Sequence, residues 1–212
     1  MFKTIKDAEA ICGTLSAPSK MPCHSYSTPA AHCITGGKLR DVENSVCKGC
    51  YAYKRGNYRF PNVQRVLENR YQSLTHPLWV DAITYLIRMK EHSGYMRFHD
   101  SGDIYSVQHL ENICQVARNL PDIRFWLPTR EYGLIREFQE KGGVIPENLI
   151  IRLSAYMVDM PAPKAVAEKL GVFTSTVFRS APTCPAPTQG NMCGPCRKCW
   201  DKNETNIAYA KH

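Results

Sequence analysis

Four short β-rich runs recur about every 25 residues in the second half of the chain. Amphipathic segments at 107–120, 132–143 and 161–171 separate these runs. Strands joined by helices run parallel with right-handed crossovers, so the pattern predicts an α/β fold, either an open sheet or a (β/α) barrel. The four runs are YMRFHDSGD (95–103), IRFWLPTRE (123–131), NLIIRLSAY (148–156) and GVFTSTVF (171–178).

The length of 212 residues indicates one compact domain covering positions 1–212. A complete eight-stranded barrel takes about 250 residues, so we expect a partial or small (β/α) TIM-like barrel. Apolar periodicity predicts two further helices at 62–74 and 77–92. Residues 1–60 form a mostly irregular cysteine-rich segment, and a second cysteine-rich segment, the tail, occupies 181–200.

The tail contains four of the ten cysteines, Cys184, Cys193, Cys196 and Cys199. Spacings of two residues bring sulfurs to one side of a turn, where they suit a metal ion or a cluster. Three such cysteines in succession resemble a ferredoxin run and favour a [4Fe-4S] cluster, with zinc as the alternative. Disulfides are a third alternative, which a reducing cytosol disfavours.

The N-terminal segment is less regular. Cys47 and Cys50 form a second pair with two residues between them, and Cys33 lies well upstream. In a barrel the first and last elements are neighbours, so this pair either completes the tail site or forms a second one. Cys12 and Cys114 lie on apolar helical patterns and are expected to be buried structural thiols.

Polar side chains follow the proposed strands where ligands bind in parallel α/β proteins. The HDSGD run places an imidazole and two carboxylates around a glycine, which suits acid/base work or a turn with Ser106 or Asp103 capping the next helix. The candidate catalytic residues are His99, Asp100, Asp103, Arg130, Glu131 and Ser154.

The net charge is +8. This balance favours contact with nucleic acid, and the aromatic and basic residues of YAYKRGNYRF (51–60) suit base stacking and phosphate contact; a solvated basic surface is the alternative. No apolar run reaches the length of a membrane span, and the first twenty residues lack a signal-peptide pattern. We therefore expect a cytoplasmic protein without a membrane partner.

The segments PSKMPCHSYSTPAAHC, SVCKGCYAYKRGNYRFPNVQ, RFHDSGDIYS and CPAPTQGNMCGPCRKCW resemble the phage gene 88 protein family. CKGCYA also resembles phage proteins related to radical S-adenosylmethionine (SAM) enzymes. The resemblance implies a partial (β/α) barrel with a [4Fe-4S] cluster, acting in the cytoplasm of the infected host cell. The chain lacks the radical SAM spacing of three cysteines and the glycine-rich SAM motif.

These patterns lead to a main functional hypothesis and three rivals. The main one is an iron–sulfur enzyme whose open iron acts on a small sulfur-containing molecule, as a cysteine desulfidase or sulfhydrase-like lyase or sulfur transferase. The rivals are a radical-SAM-like enzyme, a zinc-stapled basic protein that binds nucleic acid, and an electron carrier. The sequence does not distinguish one metal site from two, and it does not indicate an oligomeric state.

Overall fold

The computed structural model of the chain describes residues 2–53 and 56–211. Its strands form one six-stranded, all-parallel sheet in which spatial order follows chain order. The four predicted strands are its centre, and a strand at each edge adds to them. The strands are β1 (Ser25–Tyr26), β2 (Tyr95–Phe98), β3 (Arg124–Thr129), β4 (Leu149–Ser154), β5 (Phe173–Phe178) and β6 (Asn206–Ala210).

The helices from residue 61 onward agree with the apolar periodicity, and the described residues add two short helices, α1 and α2, within the segment 1–60 that was expected to be mostly irregular. The Ser106 hydroxyl accepts a hydrogen bond from the His109 amide at 3.0 Å, which confirms Ser106 as the cap of α5. None of the described helices has the length and hydrophobicity needed to cross a bilayer. The helices are α1 (Ile5–Cys12), α2 (Ile34–Leu39), α3 (Pro61–Ser73), α4 (Trp79–Lys90), α5 (Val107–Asn119), α6 (Tyr132–Glu140) and α7 (Lys164–Lys169).

The main hydrophobic core lies on one face of the sheet. Alternate strand residues such as Met96, Leu127 and Ile151 pack there against buried residues of α1, α4, α5, α6 and α7. Successive strands that each add next to the previous one, with crossovers of one hand, place their helices on the same side. The sequential strand order therefore leaves the opposite face, the inner face, free of this helical layer.

The inner face carries a second, smaller aromatic cluster. Trp126 of β3 packs edge-to-face on Trp200 with ring centroids 5.4 Å apart, and Cys23 is buried beside them. The Trp200 indole N–H donates to the carbonyl of Met96 at 2.9 Å. Residues of the tail and of the segment before β1 thus cover the inner face, whereas helices cover the opposite, outer face.

The tail also covers the free edge of β6. The amides of Thr183 and Cys184 both donate to the carbonyl of Ala208 at 2.9 Å, on the side of β6 that does not pair with β5. The amide of Cys193 donates at 2.9 Å to the carbonyl of Lys20, just ahead of β1. The tail therefore connects the two edges of the sheet. Its hydrogen bonds to β6 also pair backbone groups of an edge strand that would otherwise be left without partners.

Arg152 in the middle of β4 anchors the end of the tail. Its side chain is fully buried, and its guanidinium donates only to backbone carbonyls, at 2.7–3.4 Å. Four of these carbonyls belong to the turn that leads into β6, and one belongs to β5. The acceptors are the carbonyls of Lys198, Cys199, Asp201, Glu204 and Thr174.

We predict that Arg152→Met detaches this turn. The substitution keeps an apolar chain but leaves buried carbonyls without a donor, which should lower the free energy of unfolding by about 3 kcal/mol or more. Urea unfolding measures the loss, and the rate at which a thiol reagent labels Cys199 reports exposure of the tail. Arg124→Met, at an exposed position of β3, is the control and should change stability by less than about 0.5 kcal/mol. A tail that stays protected in Arg152→Met would contradict this anchoring role.

Candidate functional site

A cavity of about 370 Å³ opens at the carboxyl ends of the strands. Its wall is formed by residues at or just after the ends of β2, β3, β4, β5 and β6 together with the loop that follows α2. This is the edge at which parallel α/β folds bind ligands. Of the candidate catalytic residues, five line the cavity: His99, Asp100, Asp103, Arg130 and Ser154.

Three thiols line the same cavity, those of Cys33, Cys47 and Cys50. Cys33 is the N-cap of α2, and the amide of Cys50 donates to the carbonyl of Cys47 at 3.1 Å in a tight turn. We refer to these three residues as the pocket thiols. The sequence predicted Cys47 and Cys50 as ligands but did not include Cys33, because thirteen residues separate Cys33 from the pair.

Gly36 allows the pocket thiols to approach one another. A Cβ on this glycine would lie 3.0 Å from the Cβ of Cys33 and 3.5 Å from the Sγ of Cys47. Both sulfurs lie within 3.8 Å of that point, so any side chain there would crowd the space between them. The glycine therefore leaves room beside two thiols on the cavity wall, which suits a bound inorganic group.

The charges around the pocket thiols control their ionisation. Burial raises the pKa of Cys33 and of Cys47, and the neighbouring thiol of Cys50 raises both further. The guanidinium of Arg130 acts in the opposite direction on the pKa of both. Burial therefore disfavours the thiolate forms of Cys33 and Cys47, and Arg130 is the cation that lowers the cost of forming thiolates there.

Glu131 does not line the cavity, although the sequence placed it among the catalytic candidates. Its carboxylate accepts hydrogen bonds from the amide of Thr35 at 2.8 Å and from the Thr35 hydroxyl at 2.7 Å. Thr35 lies in the first turn of α2, two residues after Cys33. Glu131 thus fixes the start of the helix that carries one of the pocket thiols.

The HDSGD run has a strained backbone. His99 has φ of +64°, a left-handed value that is uncommon for a residue with a side chain. Its imidazole is buried, neither ring nitrogen has a hydrogen-bond partner among the residues that the structure describes, and burial holds its pKa well below the ordinary value. Gly102 has φ of +83°, and a Cβ there would lie 2.1 Å from the Thr28 hydroxyl oxygen. This backbone accommodates only glycine at position 102.

The two carboxylates of this run have different surroundings. Asp100 accepts hydrogen bonds from the hydroxyls of Ser25 and Tyr58, each at 3.1 Å. Asp103 accepts from the Thr129 hydroxyl at 2.5 Å and from the amides of Ile104 and Arg130 at 2.8 and 2.9 Å. Asp103 therefore ties the end of β2 to the end of β3, whereas Asp100 is held by side chains alone.

Serine hydroxyls and guanidinium groups complete the wall. The hydroxyls of Ser154 and Ser175 lie 3.1 Å apart on neighbouring strands. In Arg130 the Nε atom donates to the carbonyl of Ala155 at 3.4 Å, and its two terminal nitrogens have no hydrogen-bond partner among the described residues. A cationic fork beside two hydroxyls suits a small anionic group such as a carboxylate.

The four tail cysteines form a second group, separate from the pocket thiols, and none of them lines the cavity. All four are half-buried. Burial raises the pKa of Cys193, and the thiols of Cys184 and Cys196 raise it further; Cys184 likewise adds to the raised pKa of Cys199. Of the two alternatives that the sequence left open for Cys47 and Cys50, the structure groups this pair with Cys33 and not with the tail.

Within residues 2–53 and 56–211, no group of three or more His, Cys, Asp or Glu side chains is arranged to hold a metal ion. Of the basic stretch 51–60, Lys54 and Arg55 lie outside the described residues. Tyr51 and Tyr58 of that stretch approach the cavity, and the Tyr51 hydroxyl donates to the carbonyl of Asp100 at 2.7 Å.

A family model described as Gene product 88 matches residues 2–202, nearly the whole chain. The chain belongs to the Gene product 88 family. Comparisons with curated proteins and with solved structures gave no match. The Gene product 88 match covers both groups of thiols and every residue of the cavity wall up to β5. It confirms the resemblance to the phage family and leaves the chemistry of the site to be inferred from its geometry.

The buried carboxyl group of Asp103 gives a pH prediction. Burial raises its pKa from 3.8 to about 6, against hydrogen bonds from Thr129 and Arg130 that lower it. Because the folded state favours the protonated form, this group contributes stability that is complete below about pH 4 and is lost as the pH rises through 6. The unfolding free energy of the wild-type chain should therefore fall by about 3 kcal/mol relative to Asp103→Asn between pH 4 and pH 7.

Urea titrations of the two proteins at matched pH values measure this difference. The substitution also disturbs the hydrogen bonds of Asp103, but that effect shifts the two curves by a constant amount. A difference that does not vary between pH 4 and pH 7 would show that Asp103 has the same pKa in the folded and unfolded chains.

Proposed function

We propose that the chain is an iron–sulfur enzyme in which Cys33, Cys47 and Cys50 hold a [4Fe-4S] cluster at the cavity. The observation that carries the proposal is that three thiols from two separate segments line one cavity together with Arg130 and Asp100. Thiolates are the ligands of such clusters, and a nearby cation favours them. The cluster spreads its ligands over several irons, so the thiols need not converge on one point as they would around zinc.

The donor set fits a cluster that keeps one position for a small molecule. Three protein thiolates leave one of four corners without a protein ligand, as catalytic metal sites do, and the space beside Gly36 suits an inorganic core. When bound, such a cluster supplies an open iron that acts as a Lewis acid. The residues of this chain supply the rest: Arg130 balances charge, and the hydroxyls of Ser154 and Ser175 orient the ligand.

The tail supplies a second, closed site in this proposal. Cys184, Cys193, Cys196 and Cys199 provide four thiolates, which is a complete set for a [4Fe-4S] cluster. The same tail connects the two edges of the sheet, and the helical layer lies on one face of that sheet. This arrangement supports a partial (β/α) barrel whose interior is partly filled by the tail. The pocket thiols then lie at the barrel mouth, where this architecture places its active sites.

Sulfur chemistry on a small thiol or amino acid is the reaction that we propose for the cavity. Its volume of about 370 Å³ suits a small molecule, and the fork of Arg130 suits an anionic group on it. Asp100 is the acid/base candidate, since hydroxyl donors alone hold its carboxylate. The carboxylate of Asp103 already accepts three hydrogen bonds, and we assign it the role of holding the cavity wall. We further propose that the protein acts in the cytoplasm of the infected cell.

One observation favours a second candidate, a radical-SAM-like enzyme. Three thiols at the carboxyl edge of a parallel sheet, with a separate group of four, resemble the layout of an enzyme with an open cluster and an auxiliary one. The glycine-rich SAM motif is missing from the sequence. Addition of SAM to reduced, anaerobic protein separates the two candidates, because only the radical enzyme cleaves it.

We predict that protein purified without air is brown and contains iron and acid-labile sulfide. Cys33→Ala and Cys47→Ala should each lose about half of the iron, and Cys193→Ala and Cys196→Ala should lose the other half, because thiolate ligation holds each centre. Metal and sulfide analysis measures this. The control is Cys114→Ala, a buried thiol of α5, which should keep all of the iron. Colourless protein with stoichiometric zinc would support the zinc-stapled nucleic-acid-binding rival instead.

Arg130→Gln should keep its iron but bind L-cysteine roughly tenfold or more weakly, because a charge-assisted hydrogen bond is lost. The change in the visible absorption of the cluster on titration with L-cysteine measures the dissociation constant. Arg136→Gln, at an exposed position on α6, is the matched control and should bind like the wild type. Equal binding by wild type and Arg130→Gln would remove Arg130 from the ligand site.

A further inference from the structure

Tyr209 lines the cavity and contacts one of the tail thiols. Its side chain lines the cavity, and its hydroxyl lies 3.2 Å from the Sγ of Cys199. Its ring stacks on Trp126 with centroids 6.2 Å apart, which fixes the direction of the hydroxyl. Tyr209 of β6 thus lies between the cavity and the tail thiol of Cys199, and no pattern in the sequence pointed to it beyond an aromatic residue near position 210.

The chemistry of Cys199 decides which atom donates. A free thiol and a phenol can each donate to the other. A cysteine that binds a metal is a thiolate, which has no proton and is an acceptor only. With a metal centre in the tail, the hydroxyl of Tyr209 is therefore the donor and the sulfur of Cys199 is the acceptor.

The backbone of Cys199 is also held by the sheet. Its carbonyl accepts from the Nε of Arg152 at 3.1 Å, so the residue is fixed to the sheet on one side and to Tyr209 on the other. Arg97 lies with its guanidinium 4.3 Å from the centre of the Trp126 ring, and its buried Nε has no hydrogen-bond partner in residues 2–53 and 56–211. Within the described chain, no other tail sulfur has a side-chain hydrogen bond.

We propose that Tyr209 is a positioning residue that sets the reduction potential of a redox centre held by the tail cysteines, an inference that rests on the proposed function. A hydrogen bond to a ligand sulfur stabilises negative charge on it, and reduction adds negative charge. The bond from Tyr209 therefore favours the reduced centre and raises its potential.

The test is an anaerobic redox titration followed by electron paramagnetic resonance. Tyr209→Phe keeps the ring but removes the donor, so the midpoint potential of the tail centre should shift to a more negative value while the iron content stays the same. Tyr95→Phe is the matched control, because Tyr95 packs on Trp200 in the same aromatic cluster without a hydrogen bond to a tail sulfur. Its potential should equal that of the wild type.

The two centres are separated by repeating the titration in Cys33→Ala, which leaves only the tail centre; if that protein does not fold, the two sets of signals are resolved in the wild type by their different relaxation. Equal potentials in Tyr209→Phe, Tyr95→Phe and wild type overturn the role of Tyr209 while the proposed function stands. Loss of tail iron in Tyr209→Phe, or zinc in the wild-type tail, overturns it as well. Wild-type protein without any iron overturns the proposed function itself.

Discussion

The buried guanidinium of Arg152 is the interaction on which the inner half of the molecule depends. A fully buried cation whose hydrogen bonds all go to neutral carbonyls is costly unless each donor is used. Arg152 meets this condition by gathering the carbonyls of the turn between the tail and β6. In doing so it fixes Cys199 and Trp200 against the sheet and brings β6 into register beside β5. A metal centre with anionic thiolates next to Cys199 would also compensate its charge.

The separation of the two faces of the sheet explains why one molecule has room for two groups of thiols. The outer face carries the hydrophobic core with five helices. The inner face carries no part of this layer of five helices and is instead filled by the tail, by Trp126 and Trp200, and by a cavity that retains polar and charged residues. The hydrophobic core and the candidate site thus lie on opposite faces, which allows strained residues such as His99 to persist at the cavity while the packed face holds the fold.

The residues around the pocket thiols divide into those that can touch a ligand and those that hold the wall. Arg130, Asp100 and Ser154 face the cavity. The carboxylates of Asp103 and Glu131 lie close by, but both accept hydrogen bonds from another segment of the chain. Asp103 accepts them from the end of β3, and Glu131 accepts them from the start of α2. Buried carboxylates that accept several hydrogen bonds are better suited to holding two segments together than to transferring protons.

The sequence by itself determined the local elements: hydrophobic period and turn residues identified the four central strands, the helices from 62 onward and the Ser106 cap, because these depend on neighbours within a few positions. It also placed the polar strand ends at one edge, since parallel strands end together. Tertiary structure alone decided the rest. The two-residue β1 and the edge strand β6 form only by pairing with distant strands, and Cys33 joins Cys47 only because Gly36 and Glu131 direct the chain back to the cavity. Such contacts join residues far apart in the chain, so no local pattern of residues records them.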